Sequence, residues 1–204
     1  MLDKSPERIL DNDLTHIKKE FEKNLPNILL FSEPFEKSSF LDKLITSVED
    51  SIIFVDMDLL YTGYVESGMT RKKGNVELYQ PNKENWEKDL SKIINKVSKN
   101  KFFVIIDSFN RVYNMFDELE SAIFINSCIM LLSSLGRKTG SSVIITAMAR
   151  KNENKEWILS PGGKQIIKSD KTGIYLLEKT KEGSIISTVG NENKNFIIQY
   201  NYSV

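Results

Sequence analysis

The sequence predicts an α/β fold of three layers, a mostly parallel central sheet with helices on both faces and antiparallel strands added at its C-terminal end. Three observations carry this expectation. Short unbroken apolar runs recur at 28–31, 52–55, 102–106, 143–145 and 174–177, the pattern of strands covered on both faces. Segments of helical period lie between them at 38–48, 84–97 and 119–135, and strand-helix alternation favours parallel pairing through crossovers. After Pro161-Gly162-Gly163 the remaining runs, near Ile185 and at 196–198, follow one another closely. That spacing predicts antiparallel pairing.

Taken in order, residues 5–23 are charged with sparse apolar positions, which predicts a solvated helix carrying His16 and leading into Pro26. Residues 27–43, NILLFSEPFEKSSFLDK, read as a phosphate-binding strand-loop-helix without its glycines. A working loop of this kind needs glycine, because the backbone must take positive φ for successive N–H groups to converge on a phosphate. Set against G-x-x-x-x-G-K-[ST], Lys37 and Ser38 keep the terminal pair, while Phe31 and Glu36 fall on the glycine positions. In a second register Ser32, Glu33 and Pro34 match the start of a G-E-P-G loop that is one residue short before Lys37. Either register damages the cradle: Pro34 has no N–H, Phe35 is bulky, and Glu33 and Glu36 place negative charge beside the phosphate position. The plain alternative is an ordinary strand, turn and helix with a chance Lys-Ser pair.

The second strand ends in Asp56 and Asp58, which could polarise an attacking water. Residues 61–81, with Gly63, Gly68, Gly74 and the basic Arg71-Lys72-Lys73, read as an irregular connection. KFFVIIDSFNRVY then sets Asp107 at the end of an apolar strand, where a nucleotide-binding α/β protein holds a carboxylate for the water shell of Mg²⁺. A capping or turn aspartate is the alternative.

Composition bounds the rest. The chain has 204 residues, enough for one core buried on both sides of a sheet; residues 1–25 are expected to form an N-terminal helical segment and 26–204 the core domain. Lys plus Arg and Asp plus Glu are both 28, so overall charge offers no general attraction to nucleic acid or membrane. Cys128 is the single cysteine, which excludes an internal disulfide and suits a buried structural thiol. MLDKSPERIL lacks the basic-then-apolar order of a secretory signal, and no apolar stretch approaches the ~20 residues of a membrane span. A cytoplasmic protein is expected.

VIIDSFNRVY (104–113) resembles the Walker B strand of the RadA/RadB archaeal recombinases and their RecA-type relatives, hhhDSxxxxY. SIIFVDMD resembles their IDTE strand with Asp58 at the glutamate position, and LLSSLGRKTGSSVIITAMA resembles the helix and strand ending in T-N-Q-V. Residues 160–200 resemble the closing P-x-G-G segment with its hairpin and last strand. The resemblance spans 26–200 and implies a RecA-like three-layer sandwich. It also implies roles: Lys37 on the terminal phosphates with Ser38, Ser39 and Asp107 in the nucleotide site, Ser38 and Asp107 on Mg²⁺, and Asp58 and Asp107 as the catalytic candidates.

The departures count as much. Glycines are missing from the phosphate loop, Asp58 is shorter than glutamate, and the T-N-Q sensor reads Thr146-Ala147-Met148. Where the family carries arginines facing single-stranded DNA, residues 114–127 are acidic then apolar, and Asp117, Glu118 and Glu120 would repel a phosphate backbone. The second loop, 149–159, keeps Arg150, Lys151, Lys155 and Trp157, a cation-plus-aromatic set able to contact and stack on a nucleic-acid strand; a solvated loop with one tryptophan tucked on the core is the alternative. The resemblance and its departures imply a non-catalytic paralogue, an accessory factor of homologous recombination or DNA repair that binds a RecA-fold protein, itself or a recombinase paralogue, with single-stranded nucleic acid as a second partner and no membrane. No cofactor is expected. The alternatives are a weak or unusual Mg-ATPase using ATP, a ring subunit similar to the RecA-like subunits of Elongator, and a relation to KaiC-like regulatory ATPases.

Overall fold

The computed structural model describes residues 13–112, 118–153, 157–159, 169–181, 183–189 and 194–199. Strands and helices alternate through the first three quarters of the chain: α1 (Asp13–Lys23), β1 (Asn27–Phe31), α2 (Pro34–Ser47), β2 (Ile52–Asp56), α3 (Leu60–Glu66), β3 (Val76–Tyr79), α4 (Trp86–Val97), β4 (Phe103–Asp107), α5 (Phe109–Val112), α6 (Glu118–Thr139) and β5 (Ser142–Lys151). Strands alone follow: β6 (Trp157–Leu159), β7 (Gly173–Lys179), β8 (Gly183–Thr188) and β9 (Asn195–Gln199).

The sheet order is β3-β2-β4-β5-β1-β7-β8-β9, with β6 paired to β5. Pairing is parallel from β3 through to β7 and antiparallel across β7-β8-β9. The expected architecture is the one observed.

Alternation along each strand divides the core in two. In β2, Ile53 and Val55 point to the layer built with α4 and α6, where Trp86, Ile93 and Leu132 are buried. Ile52 and Phe54 point the other way, to the layer built with α1, α2 and α3. β1 and β4 split in the same manner, since successive side chains of a strand face opposite sides. Both sides being apolar is what made these strands read as unbroken runs.

Three expectations need correction. The stretch 61–81 is not wholly irregular: it holds most of α3 and all of β3, whose Glu77 and Leu78 are only half-buried at the sheet edge and so give no apolar run. The helix near the N-terminus is not simply solvated, because Ile17 and Phe21 are fully buried and share a core with Phe196 and Ile198 of β9. Residues 149–159 are not a plain loop: Ala149–Lys151 continue β5 and pair antiparallel with β6. Cys128 is buried as expected, its thiol pushed up to about 12 by desolvation. Among the described residues no helix is long and apolar enough to cross a membrane.

Candidate functional site

Parallel pairing of β2 with β4 sets Asp56 opposite Asp107, each the last residue of its strand. An apolar strand buried along its length delivers its first polar residue to the strand end, and here two such ends lie side by side. Asp58 follows at the start of the connection to α3, where its Oδ1 accepts the Leu60 N–H at 3.2 Å. Asp56, Asp58 and Asp107 each bring a carboxylate oxygen within 4.8 Å of the others.

On the other side of the site the chain turns abruptly. Only Ser32 and Glu33 separate β1 from α2. Pro34 opens the helix, a first-turn position that needs no N–H donor, and Glu33 caps it from extended backbone without a side-chain bond. The Lys37 N–H already donates to the Glu33 carbonyl at 3.1 Å. Leu59 is the one non-glycine residue at positive φ among those described, and the glycines at positive φ are 68, 140 and 183. The amides ahead of Lys37 therefore run in helical geometry rather than converging as a nest, which requires a left-handed residue. Glu36 turns inward, 2% exposed, and its carboxylate accepts the Ser184 hydroxyl of β8.

Lys37 is fully buried. Its Nζ lies 2.7 Å from Asp107 Oδ1 and 2.8 Å from Asp58 Oδ2, and 5.0 Å from the centre of the Phe31 ring. Thr146 donates its hydroxyl to Asp107 Oδ1. Asp56 Oδ2 accepts the Thr62 N–H at 2.7 Å and the Thr62 hydroxyl at 2.6 Å, and Gln80 Nε2 donates to that hydroxyl at 2.7 Å.

Electrostatics follow from three carboxylates around one ammonium. Burial alone would lower the Lys37 ammonium, but Asp107 and then Asp58 outweigh it and hold the group above its usual value. Asp107 is pushed up to about 6, by burial first and with Asp58 adding repulsion that Lys37 and Thr146 only partly offset. Asp56 is also raised, by burial against the opposing bonds from Thr62. Lys37, Asp56 and Asp107 all shift upward, the two aspartates by burial first and the lysine by the attraction of its carboxylate partners.

A pH dependence results. The folded chain holds a proton on Asp107 that the unfolded chain releases near the usual carboxylate pKa, so this group's contribution to stability is greatest in acid. It falls as pH rises between roughly 4 and 6. Asp107→Asn removes the titration: relative to wild type, the variant gains stability between those limits, measured by urea midpoints at each pH. A difference between the two that stays constant with pH counts against the assignment.

Of the residues expected here, the structure gathers Lys37, Asp58 and Asp107. Ser38 is buried with an unpartnered hydroxyl, and Ser39 is half-buried on the same helix. The nucleic-acid candidates lie elsewhere, on the β5–β6 hairpin: Arg150 and Lys151 are exposed, Trp157 is half-buried, and Lys151 Nζ sits 4.8 Å from the Trp157 ring centre. Lys155, Asp117 and Pro161-Gly162-Gly163 lie outside the described residues. Sequence reasoning missed Thr62 as the partner of Asp56, Ser184 as that of Glu36, and Thr146 as that of Asp107. Thr146 carried a signal, a polar residue inside an apolar strand, since buried hydroxyls take partners.

No family model and no curated protein matches this sequence. Solved structures do. The chain is similar to the crystal structure of the RadB recombinase (TM-score 0.51, 14% identity, 81% of this chain and 81% of that one) and to a solved ATPase domain (TM-score 0.58, 9% identity, 95% of this chain and 88% of that one). It is also similar to a DnaB-like replicative helicase studied for its interactions with primase (TM-score 0.52, 9% identity), with 94% of this chain covering 64% of that one. At such identities the likeness speaks for the fold, and the fold is RecA-like.

Proposed function

We propose that this chain is a non-catalytic RecA-fold accessory factor of homologous recombination or DNA repair, one that binds a RecA-fold partner and single-stranded nucleic acid without turning over nucleotide. The observation that carries this reading is the position of Lys37: its ammonium is held between Asp58 and Asp107, behind a turn of Ser32 and Glu33 too short to wrap a triphosphate. Ser38, with its unpartnered hydroxyl, suits a nucleotide-bound Mg²⁺. Asp107 Oδ1 is already engaged by Lys37 and Thr146, and the helical amides offer no cradle, so the residues present do not fit the nucleotide and its metal. The similarity to a RadB recombinase supports the recombination setting.

Calorimetric titration with Mg-ATP tests it. Wild type is expected to give no saturable binding up to millimolar ligand. Tight binding that disappears in Lys37→Ala overturns the reading.

The nucleic-acid half rests on the cation over Trp157 beside exposed Arg150. Affinity for a single-stranded oligonucleotide, read by fluorescence anisotropy, is expected to fall with salt. Replacing Arg150 and Lys151 together with alanine reduces the log-log slope by about 1.4, the release expected for two phosphate contacts on a single strand. Salt-independent affinity, or an unchanged slope, removes this half of the proposal.

A further inference from the structure

We propose that the outer face of α6 is an interface for a second copy of this chain, with the two α6 helices lying antiparallel across a two-fold axis. The inference does not rest on the function proposed above. Residues of α6 pack into the core layer that holds Trp86 and Leu132, whereas α2, which carries Lys37, packs into the layer on the opposite side of the sheet.

The pattern along the helix is the first observation. Inward, Cys128, Ile129 and Leu132 are buried in the core. Outward, Ile123 is 63% exposed, Met130 58% and Leu131 43%, and Ser127, Ser134 and Arg137 are exposed beside them. Ile123, Ser127, Met130, Ser134 and Arg137 follow one another at intervals of four, three, four and three residues, the repeat on which two helices mesh. Large and small side chains alternate along this seam.

Size sets the direction of the partner. With the two-fold axis between positions 127 and 130, an antiparallel helix places Ile123 against Ser134 of the second copy and Ser127 against Met130 of the second copy, so each large side chain meets a small one. A parallel helix in register would place Ile123 on Ile123 and Ser127 on Ser127, leaving gaps at the serines that close packing disfavours. The antiparallel contact is self-complementary, as an isologous interface must be.

Polarity agrees with size. The Ser127 hydroxyl donates to the Ile123 carbonyl of its own helix at 2.8 Å, so it can leave water without losing a partner. The same register brings position 120, a glutamate in the first turn of α6, opposite Arg137 in the last turn of the second copy, and opposite charges there attract. The chain's formal net charge is zero, so two copies meet without overall repulsion. At 1.5 Å per residue the seam from Ile123 to Arg137 is about 21 Å long, which suits a small interface whose occupancy depends on concentration.

Sedimentation velocity of the full chain at rising concentration, up to about 1 mM, tests the contact. Wild type is expected to pass from monomer to dimer. Met130→Glu, a change at an exposed position, should weaken the dimer at least about tenfold by placing a charge in the seam. Arg137→Glu should weaken it as well, and adding Glu120→Arg to the same chain should restore it. Direction is read by air oxidation of Ser127→Cys and Met130→Cys chains, with the buried Cys128 left in place: mixed together they should give a disulfide-linked dimer on a non-reducing gel, and neither should do so alone. Wild type that stays monomeric overturns the interface, and a dimer unmoved by Met130→Glu overturns its placement on α6. Failure of the charge swap to rescue, or linkage of either cysteine variant alone in preference to the mixture, overturns the antiparallel register. A monomer that binds phosphatidylcholine-phosphatidylserine vesicles gives the face to a membrane and overturns the second copy. Mg-ATP and oligonucleotide titrations of Met130→Glu should match those of wild type, so failure of this interface and failure of the accessory reading are read separately.

Discussion

Replacing Lys37 with methionine is expected to destabilise the fold by about 3–5 kcal/mol, the range for removing one partner of a buried ion pair. Methionine fills much the same volume, so little of this loss comes from a cavity. It comes from leaving Asp58 and Asp107 without the ammonium that lies 2.8 and 2.7 Å away, beside an Asp56 that already lacks a partner for Oδ1. Three carboxylates within 4.8 Å of one another, two of them buried, do not all stay ionised without the ammonium, and the cluster takes up protons instead. With a urea m-value of roughly 2–3 kcal/mol/M, the midpoint falls by more than about 1 M. The double variant Lys37→Met/Asp107→Asn recovers part of the loss, since it removes an anion together with the cation. A Lys37→Met midpoint within about 0.2 M of wild type, on the same m-value range, would show that the buried pair contributes nothing to folding.

Phe54→Ala is the second large effect, expected at about 3–5 kcal/mol. Phe54 is fully buried in the middle of β2, between Leu78 of β3 and Ile105 of β4 in the register. Its ring stacks on Tyr61 with centroids 4.6 Å apart and planes 23° from parallel. The contact fixes α3 on the sheet, and α3 carries the Thr62 that holds Asp56. Truncation therefore leaves a cavity and loosens the support of one site carboxylate at once. Phe54→Leu keeps most of the volume and should cost less than half as much, as hydrophobic swaps of similar size do. Thermal unfolding of both variants checks the order, and near-equal losses would place the effect in the stacking rather than in the packing.

How much of this was legible in the sequence depended on whether a residue's environment is set locally. The strands at 28–31, 52–55 and 143–145 could be read because both faces of each are covered, so every position is apolar. β3 could not, since at the sheet edge two of its four residues are only half-buried. Asp58 and Asp107 stood out because strand ends deliver polar residues to one rim of a parallel sheet, and Lys37 because it begins a Lys-Ser pair just after a short strand-to-helix turn. Their mutual pairing was not legible: Lys37 and Asp107 are brought together by strand order, with β5 lying between β1 and β4. The same holds for Glu36 and Ser184, which the β1-β7-β8 order brings within reach of one another. Residue types were visible in the sequence, whereas partners required the topology.

The burial of Ile17 and Phe21 against Phe196 and Ile198, reinforced by Lys194 reaching Glu20 at 3.4 Å, ties α1 and β9, far apart in sequence, into one flank. A shortened version starting at Pro26 would strip that flank bare. β9, which pairs with β8 at the end of the sheet order, would then present a greasy ribbon to solvent, the kind of surface that seeds intermolecular stacking. Such a truncation should precipitate from solution rather than merely melt earlier.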